Sequence, residues 1–232
     1  MGTIQENIKK INTMKEEIAK RVGEKPEDIL LVAVTKTRSA EEINEAIEGG
    51  ITDIGENKVQ EILDKYDRVN TVRWHMIGHL QTNKVKYIVD KVSLIHSVDS
   101  FKLAEEIDKR AGRLNKMMDI LIQVNAAEED SKFGTTIEET GLLIKTILDN
   151  CNNICIKGLM SIAPYADNPE DIRIFFKQVK KLYDEYSTLN HKNLNFKYLS
   201  MGMSHDYVTA IEEGSNLIRV GTAIFGPRNY SL

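Results

Sequence analysis

Leu30-Leu31-Val32-Ala33-Val34-Thr35-Lys36-Thr37 reads as a strand that delivers a lysine to its own end. Apolar residues fill every position from Leu30 to Val34, the pattern of a parallel strand covered on both faces. Ser39 can cap a helix that follows, and Glu41 and Glu42 suit its positive end. Lys36 therefore stands where α/β proteins collect their chemistry, at a strand C-terminus. Two readings stand for it. Its side chain runs from the strand end out to solvent, or partial burial disfavours its ammonium form and frees an amine to attack a carbonyl and form a Schiff base.

Working outward, Ile4, Ile8, Ile11, Met14 and Ile18 recur at helical spacing and predict a helix from about Ile4 to Val22. Short β-rich runs then appear at 30–35, 51–54, 72–77, 93–98, 119–124, 154–160, 196–200 and 217–221. Crossover helices are predicted over Ala40–Glu48, Lys58–Asp67, Thr82–Lys91, Phe101–Leu114, Ile137–Asp149, Glu170–Ser187 and His205–Glu213. Strand and helix alternating eight times are what a closed (β/α)8 TIM barrel requires, here with an extra N-terminal helix within residues 1–25. A doubly wound open sheet is the runner-up. No linker, charge block or low-complexity tract divides the chain, so residues 1–232 are expected to form one domain.

The formal charge of −4 and pI near 5.8 leave no polyanion-binding footprint, which argues against nucleic acid and anionic membrane as partners. No apolar stretch approaches the length of a membrane span and the start of the chain lacks a signal peptide's hydrophobic region, so a cytoplasmic address is expected. Cys151 and Cys155, the only cysteines, supply neither a disulfide framework nor a structural zinc site and read as reduced packing residues.

A barrel makes a sharp demand: its working groups lie just after the strand C-termini. There the sequence supplies Lys36, Gly55-Glu56-Asn57-Lys58, the run from Trp74 to Lys84, His96-Ser97-Val98-Asp99 and Gln123-Val124-Asn125, then Gly158 to Ser161, Leu199 to Ser204, and Arg219-Val220-Gly221-Thr222. Ser200, Gly202 and Ser204 precede one helical stretch, and Gly221 and Thr222 precede another. Glycines admit an anion close to backbone N–H groups and hydroxyls add contacts, so the two clusters read as a phosphate cup or as ordinary turns. With a strand-end lysine they suggest a ligand that carries both a phosphate and an aldehyde. Arg219, between Ile218 and Val220, needs a partner: an ion pair, or a pyridine nitrogen that a donor-only guanidinium would keep unprotonated. His75 and His79 are spaced i, i+4, but Gly78 and the strand-like Trp74–Ile77 argue against one helix carrying a metal pair. His75 is expected to line the ligand pocket and His79 to organise the following loop.

With these residues placed, the chain resembles the YggS/PROSC family, the pyridoxal phosphate (PLP) homeostasis proteins. The matching stretches are VAVTKT at 32–37, GENKVQE at 55–61, WHMIGHLQTNK at 74–84, IHSVDS at 95–100, SKFG at 131–134, GLMSIAP at 158–164 and SMGMSHDYVTAIEEGSNLIRVGTAIFG at 200–226. The resemblance implies the PLP-binding barrel shared with the N-terminal domain of alanine racemase, with pyridoxal 5'-phosphate on Lys36 as an internal aldimine. It implies that Asn57 and His75 lie near the cofactor, that Ser200, Gly221 and Thr222 hold its phosphate, that Met201, Gly202 and Ser204 shape the same cup, and that Arg219 faces the pyridine nitrogen. Lys58 stands where many relatives have an aromatic residue, Thr82 where Ser is common and Asn216 where Thr is common. The family also implies a monomer.

Three functions from different classes follow. The favoured one is a PLP-binding regulatory protein that buffers the cofactor and passes it to PLP-dependent apoenzymes. An alanine-racemase-like enzyme is the second, but racemisation needs acid/base groups on both faces of the substrate α-carbon. Lys36 serves one face, and the chain ends at Leu232 with no second domain expected to supply the other. The third, independent of the resemblance, is a Schiff-base lyase acting on a phosphorylated sugar without PLP.

Overall fold

The computed structural model describes residues 2–129 and 132–227. Met1, residues 228–232 and Ser131 of the SKFG stretch lie outside them. Eight strands close into one parallel barrel in chain order: β1 (Leu30–Val34), β2 (Asp53–Glu56), β3 (Arg73–Met76), β4 (Leu94–Val98), β5 (Met118–Val124), β6 (Ile154–Ser161), β7 (Leu194–Ser200) and β8 (Leu217–Val220). The β1–β8 pair closes the ring, with Leu31 opposite Ile218 and Ala33 opposite Val220. Between the strands run α2 (Ala40–Glu48), α3 (Val59–Lys65), α4 (Phe101–Arg113), α5 (Ile137–Asn150), α6 (Arg173–Ser187) and α7 (Tyr207–Glu212). α1 (Ile4–Val22) precedes the barrel and α8 (Thr222–Phe225) follows it. This is the (β/α)8 TIM barrel with an added N-terminal helix.

The two-sided apolarity of β1 follows from this topology. Val32 points inward to meet Leu94, Leu121, Met160 and Leu217 in the barrel interior, while Leu31 and Ala33 face the helical layer. Each fully buried Val or Leu contributes about 1.5–3 kcal/mol, so both faces of the strand hold the lysine's support in place. α2 starts where expected: Ser39 accepts from the Glu42 N–H at 3.2 Å and the Glu42 carboxylate accepts from the Ser39 N–H at 2.9 Å. α1 begins on a similar Thr3–Glu6 box and ends on Gly23 in the left-handed region. Its Ile8, Ile11 and Ile18 are buried, and Asn7 Nδ2 donates to the Ile224 carbonyl at 2.9 Å, tying α1 to α8.

Met14, although it continues the apolar period of α1, is 41% exposed. Two local expectations are corrected. β2 lies two residues later than 51–54, because Gly55 and Glu56 pair with His75 and Met76 and the strand continues through what reads as a turn. A side chain at Gly55 would come within 2.9 Å of Ile77 Cδ1. The helix expected over Thr82–Lys91 is a 3-10 turn over Thr82–Tyr87. Gln81 gives it no side-chain cap, and Val85, Ile88 and Val89 are β-branched residues that disfavour a continuous helix.

Candidate functional site

The backbone that carries Lys36 is held from beneath. Thr35 N–H donates to the Gly55 carbonyl at 3.0 Å, and two residues on Thr37 has φ 64°, a conformation rare for a β-branched residue. Its N–H donates to Glu61 Oε2 at 2.6 Å. Lys65 Nζ donates to the same carboxylate oxygen at 2.9 Å, to Glu56 Oε1 at 2.9 Å and to the Thr35 carbonyl at 3.1 Å, and Thr35 Oγ1 donates to Glu56 Oε1 at 2.7 Å. Glu56 and Lys65 are both buried. Burial pushes the Glu56 carboxyl above its ordinary range, with the Lys65 ammonium pulling the other way. The strained turn thus rests on a buried ionic cluster.

Lys36 lines a cleft of about 160 Å³ at the C-terminal ends of β1, β7 and β8, together with Arg38, Ser204, Arg219, Gly221 and Thr222. Ser204 Oγ accepts from the N–H groups of Gly221 at 3.2 Å and Ala223 at 3.3 Å, which seats the β7 loop on the first turn of α8. That approach needs Gly202: its φ is 89°, and a Cβ there would stand 2.6 Å from Ala210 Cβ and 2.8 Å from Tyr207 Cα. Asp206, also buried, accepts from the Met203 N–H at 2.5 Å and fixes the loop from the other side.

Arg219 forms the inner end of the cleft. It is 4% exposed. Its Nη1 donates to the Ser200 carbonyl at 2.8 Å and to Ser200 Oγ at 2.5 Å, and its Nη2 donates to the Ser161 carbonyl at 2.9 Å. Burial lowers the guanidinium to about 10, opposed by the charge of Asp206, so it stays a cation at neutral pH. A buried cation and a lysine therefore share one cleft with hydroxyls and backbone N–H groups.

Of the residues singled out from sequence, the structure brings Lys36, Ser204, Arg219, Gly221 and Thr222 to the cleft. Ser200 does not line it. The side chain is fully buried beneath Arg219, where its hydroxyl is shared between that guanidinium and His96. Met201 packs in the apolar layer, and Gly202 contributes its carbonyl to the Arg219 N–H at 3.0 Å. Asn57 lines neighbouring hollows on the same face rather than the cleft itself. His75 points toward the other end of the barrel, where it lines a separate cavity with Asp53 and Arg73. His79 leaves β3 altogether and stacks on Phe133 with ring centroids 3.7 Å apart. Cys151 and Cys155 are buried free thiols, and burial pushes Cys151 up to about 11. Glu61, Lys65, Arg38 and Asp206 were not anticipated; the i, i+4 spacings of Glu61 with Lys65 and of Arg38 with Glu42 were the available signals.

Among the described residues no helix is long and apolar enough to cross a membrane. A closed parallel barrel with a lysine after β1 and an arginine in β8 is of the alanine racemase N-terminal class, and the family model described as alanine racemase, N-terminal domain, matches residues 3–229. The chain is 41% identical over 227 residues to a pyridoxal phosphate homeostasis protein of Aquifex aeolicus, covering 97% of this chain and 98% of that one. Among solved structures it is similar to an unknown protein from Bifidobacterium adolescentis, with a TM-score of 0.90 and 31% identity over 96% of this chain and 94% of that chain. It is also similar to PipY of Synechococcus elongatus, solved with PLP bound, with a TM-score of 0.78 and 32% identity over 92% of this chain and 100% of that chain. The chain belongs to the pyridoxal phosphate homeostasis protein family.

Proposed function

We infer that the protein binds pyridoxal 5'-phosphate in the cleft, holds it through a Schiff base on Lys36, and serves intracellular PLP homeostasis without turning over amino acids. The observation that carries this reading is the meeting of Lys36 and Arg219 in one cleft with Ser204, Gly221 and Thr222. That donor set fits a phosphorylated aldehyde bearing a ring acceptor: an amine for the aldehyde, hydroxyls and N–H groups for the phosphate, and a donor-only guanidinium for the ring nitrogen. PipY, a full-length structural relative, binds the same cofactor. When bound, PLP supplies an electron sink, and its strength depends on whether the ring nitrogen is protonated.

The chain's own residues have separable parts in this reading. Lys36 binds covalently. The Glu56–Glu61–Lys65 cluster orients the turn beneath it. Ser204, Gly221 and Thr222 would hold the phosphate, and Arg219, a donor-only cation, would face the ring nitrogen and disfavour its protonation. Ser200, Met201 and Gly202 support Arg219 and the loop from behind, and Asn57 borders the mouth. Delivery to PLP-dependent apoenzymes in the cytoplasm, by a monomer folded as one domain over residues 1–232, belongs to the same proposal.

The test is solvent-deuterium exchange at the α-carbon of common amino acids by the PLP-loaded protein. Retained PLP with no exchange is expected. Sustained, Lys36-dependent exchange at about 1 per second or faster would replace this reading with a racemase-like enzyme.

A further inference from the structure

A line of buried polar side chains crosses the barrel interior from the cleft to its opposite end. Arg219 Nη1 donates to Ser200 Oγ at 2.5 Å, and Ser200 Oγ lies 3.2 Å from His96 Nδ1. His96 Nε2 lies 2.9 Å from His75 Nδ1, and His75 Nε2 lies 2.9 Å from Asp53 Oδ1. Asp53 is gripped by Arg73, whose Nε and Nη2 donate at 2.7 and 2.6 Å. Ser200, His96, His75 and Asp53 are all at most 3% exposed, whereas the Arg73 side chain is 58% exposed. Asp53, Arg73 and His75 line a cavity of about 390 Å³ at the N-terminal ends of the strands, at the far side of the barrel from Lys36.

The partners fix the direction of the line. The Asp53 carboxyl is held well below its ordinary range: burial would raise it, but hydrogen bonds from His75, Arg73 and Thr52 outweigh that. A carboxylate only accepts, so His75 donates from Nε2. With that proton on Nε2, His75 Nδ1 is the acceptor it offers to His96, which donates from its own Nε2. His96 Nδ1 is left as an acceptor and takes the Ser200 hydroxyl proton, while the oxygen of that hydroxyl accepts from Arg219. Burial, with the nearby charge of Arg219, holds His96 far below its ordinary value, in keeping with a neutral ring. The opposite direction would put the His96 proton on Nδ1, so that both His96 and Arg219 donate to the Ser200 oxygen and neither takes its hydroxyl proton.

We propose that Asp53, His75 and His96 are positioning residues that set, from the far end of the barrel, how Ser200 presents Arg219 to the ligand. This rests on the reading that Arg219 faces the ligand bound in the cleft. Asp53 touches neither His96 nor Arg219 but dictates which nitrogen of each histidine carries the proton. The Ser200 hydroxyl proton is thereby committed to His96, and its oxygen offers only lone pairs to the guanidinium. Arg73, at the exposed end, is the point at which the outside can reach the line.

The experiment is nitrogen NMR of the full-length chain with labelled histidine, before and after loading with PLP, in the natural sequence and in Asp53→Asn. In the natural protein, both His75 and His96 are expected to carry a single proton on Nε2 at neutral pH. In Asp53→Asn the carboxylate that fixes His75 is gone: whichever way the amide turns, its NH2 faces one of the Arg73 donors, and the His96 proton is expected to spread from Nε2 onto Nδ1. A His96 proton on Nδ1 in the natural protein overturns the proposal, and this arm stands even if the variant does not fold. A His96 proton that stays on Nε2 in folded Asp53→Asn overturns it too. The loaded arm expects PLP retention to fall roughly ten-fold in Asp53→Asn, about 1.4 kcal/mol. Unchanged retention overturns the link to Arg219. Failure of the natural protein to take up PLP refutes the proposed function while leaving the proton assignments to decide the line itself.

Discussion

Replacing Lys65 by Met removes the cation at the centre of the cluster beneath the Lys36 turn and leaves the length of the side chain nearly intact. Lys65 is 9% exposed at its side chain and Glu56 is 0%, so the carboxylate left behind has no water to turn to. Breaking a buried pair by deleting one partner costs about 3–5 kcal/mol. For a domain of this length, at about 2–4 °C per kcal/mol, that is a drop of roughly 6–20 °C in Tm. Proton uptake by Glu56 limits the loss, and this gives the effect a sign in pH. Its folded pKa is raised, so the penalty of the ionised form is absent below the ordinary Glu value of about 4.3 and grows as pH rises through the folded value. Urea denaturation of the protein without PLP should therefore show Lys65→Met losing more stability at about pH 8 than at about pH 5. Adding Glu56→Gln should restore most of the loss, because the second partner no longer carries a buried charge. A Lys65→Met protein within about 1 kcal/mol of the natural one at the higher pH, or an equal loss at both, would refute the argument that this ion pair braces the lysine turn.

Asp53 gives the opposite dependence: its folded pKa is depressed, so its contribution is complete above the ordinary Asp value of about 3.9 and is lost as pH falls below it. Acid unfolding followed by circular dichroism should show a shallower acid limb in Asp53→Asn than in the natural protein. Thr222→Val keeps the shape of the cleft rim and removes one hydroxyl, so PLP affinity measured by dialysis should weaken by about 1.5–3 kcal/mol, roughly 10- to 150-fold, with Tm of the unloaded protein little changed.

The parts of this account that were legible in the sequence are those set by local pattern. The run from Leu30 to Val34 announces a strand covered on both sides, and β1 meets helices outside and the Leu94–Leu121–Met160–Leu217 cluster inside. Lys36 follows from that strand's end, and Ser204, Gly221 and Thr222 from the composition of the last two strand–helix turns. What escaped depends on facing and on long-range partners. The glycine and hydroxyl pattern from Ser200 to Ser204 does not say which way each side chain points, and the pleat sends Ser200 beneath Arg219. His75 reads as a pocket residue because it ends a strand, but its partners are Asp53 and His96, 22 and 21 residues away. The strain at Thr37 is likewise invisible without the Glu61 carboxylate, 24 residues on. Expected Thr82–Lys91 helicity failed where periodicity outweighed the β-branched residues Val85, Ile88 and Val89.

The most direct measurement is the visible spectrum of the purified protein incubated with PLP, before and after borohydride reduction, followed by peptide mapping of the reduced adduct. An amine beside a rim of hydroxyls and N–H groups predicts a Schiff-base absorption that reduction removes, a stable label on Lys36 alone, and no label in Lys36→Ala. Label on another lysine with Lys36 unmodified, or no reducible adduct at all, would contradict the assignment of this cleft.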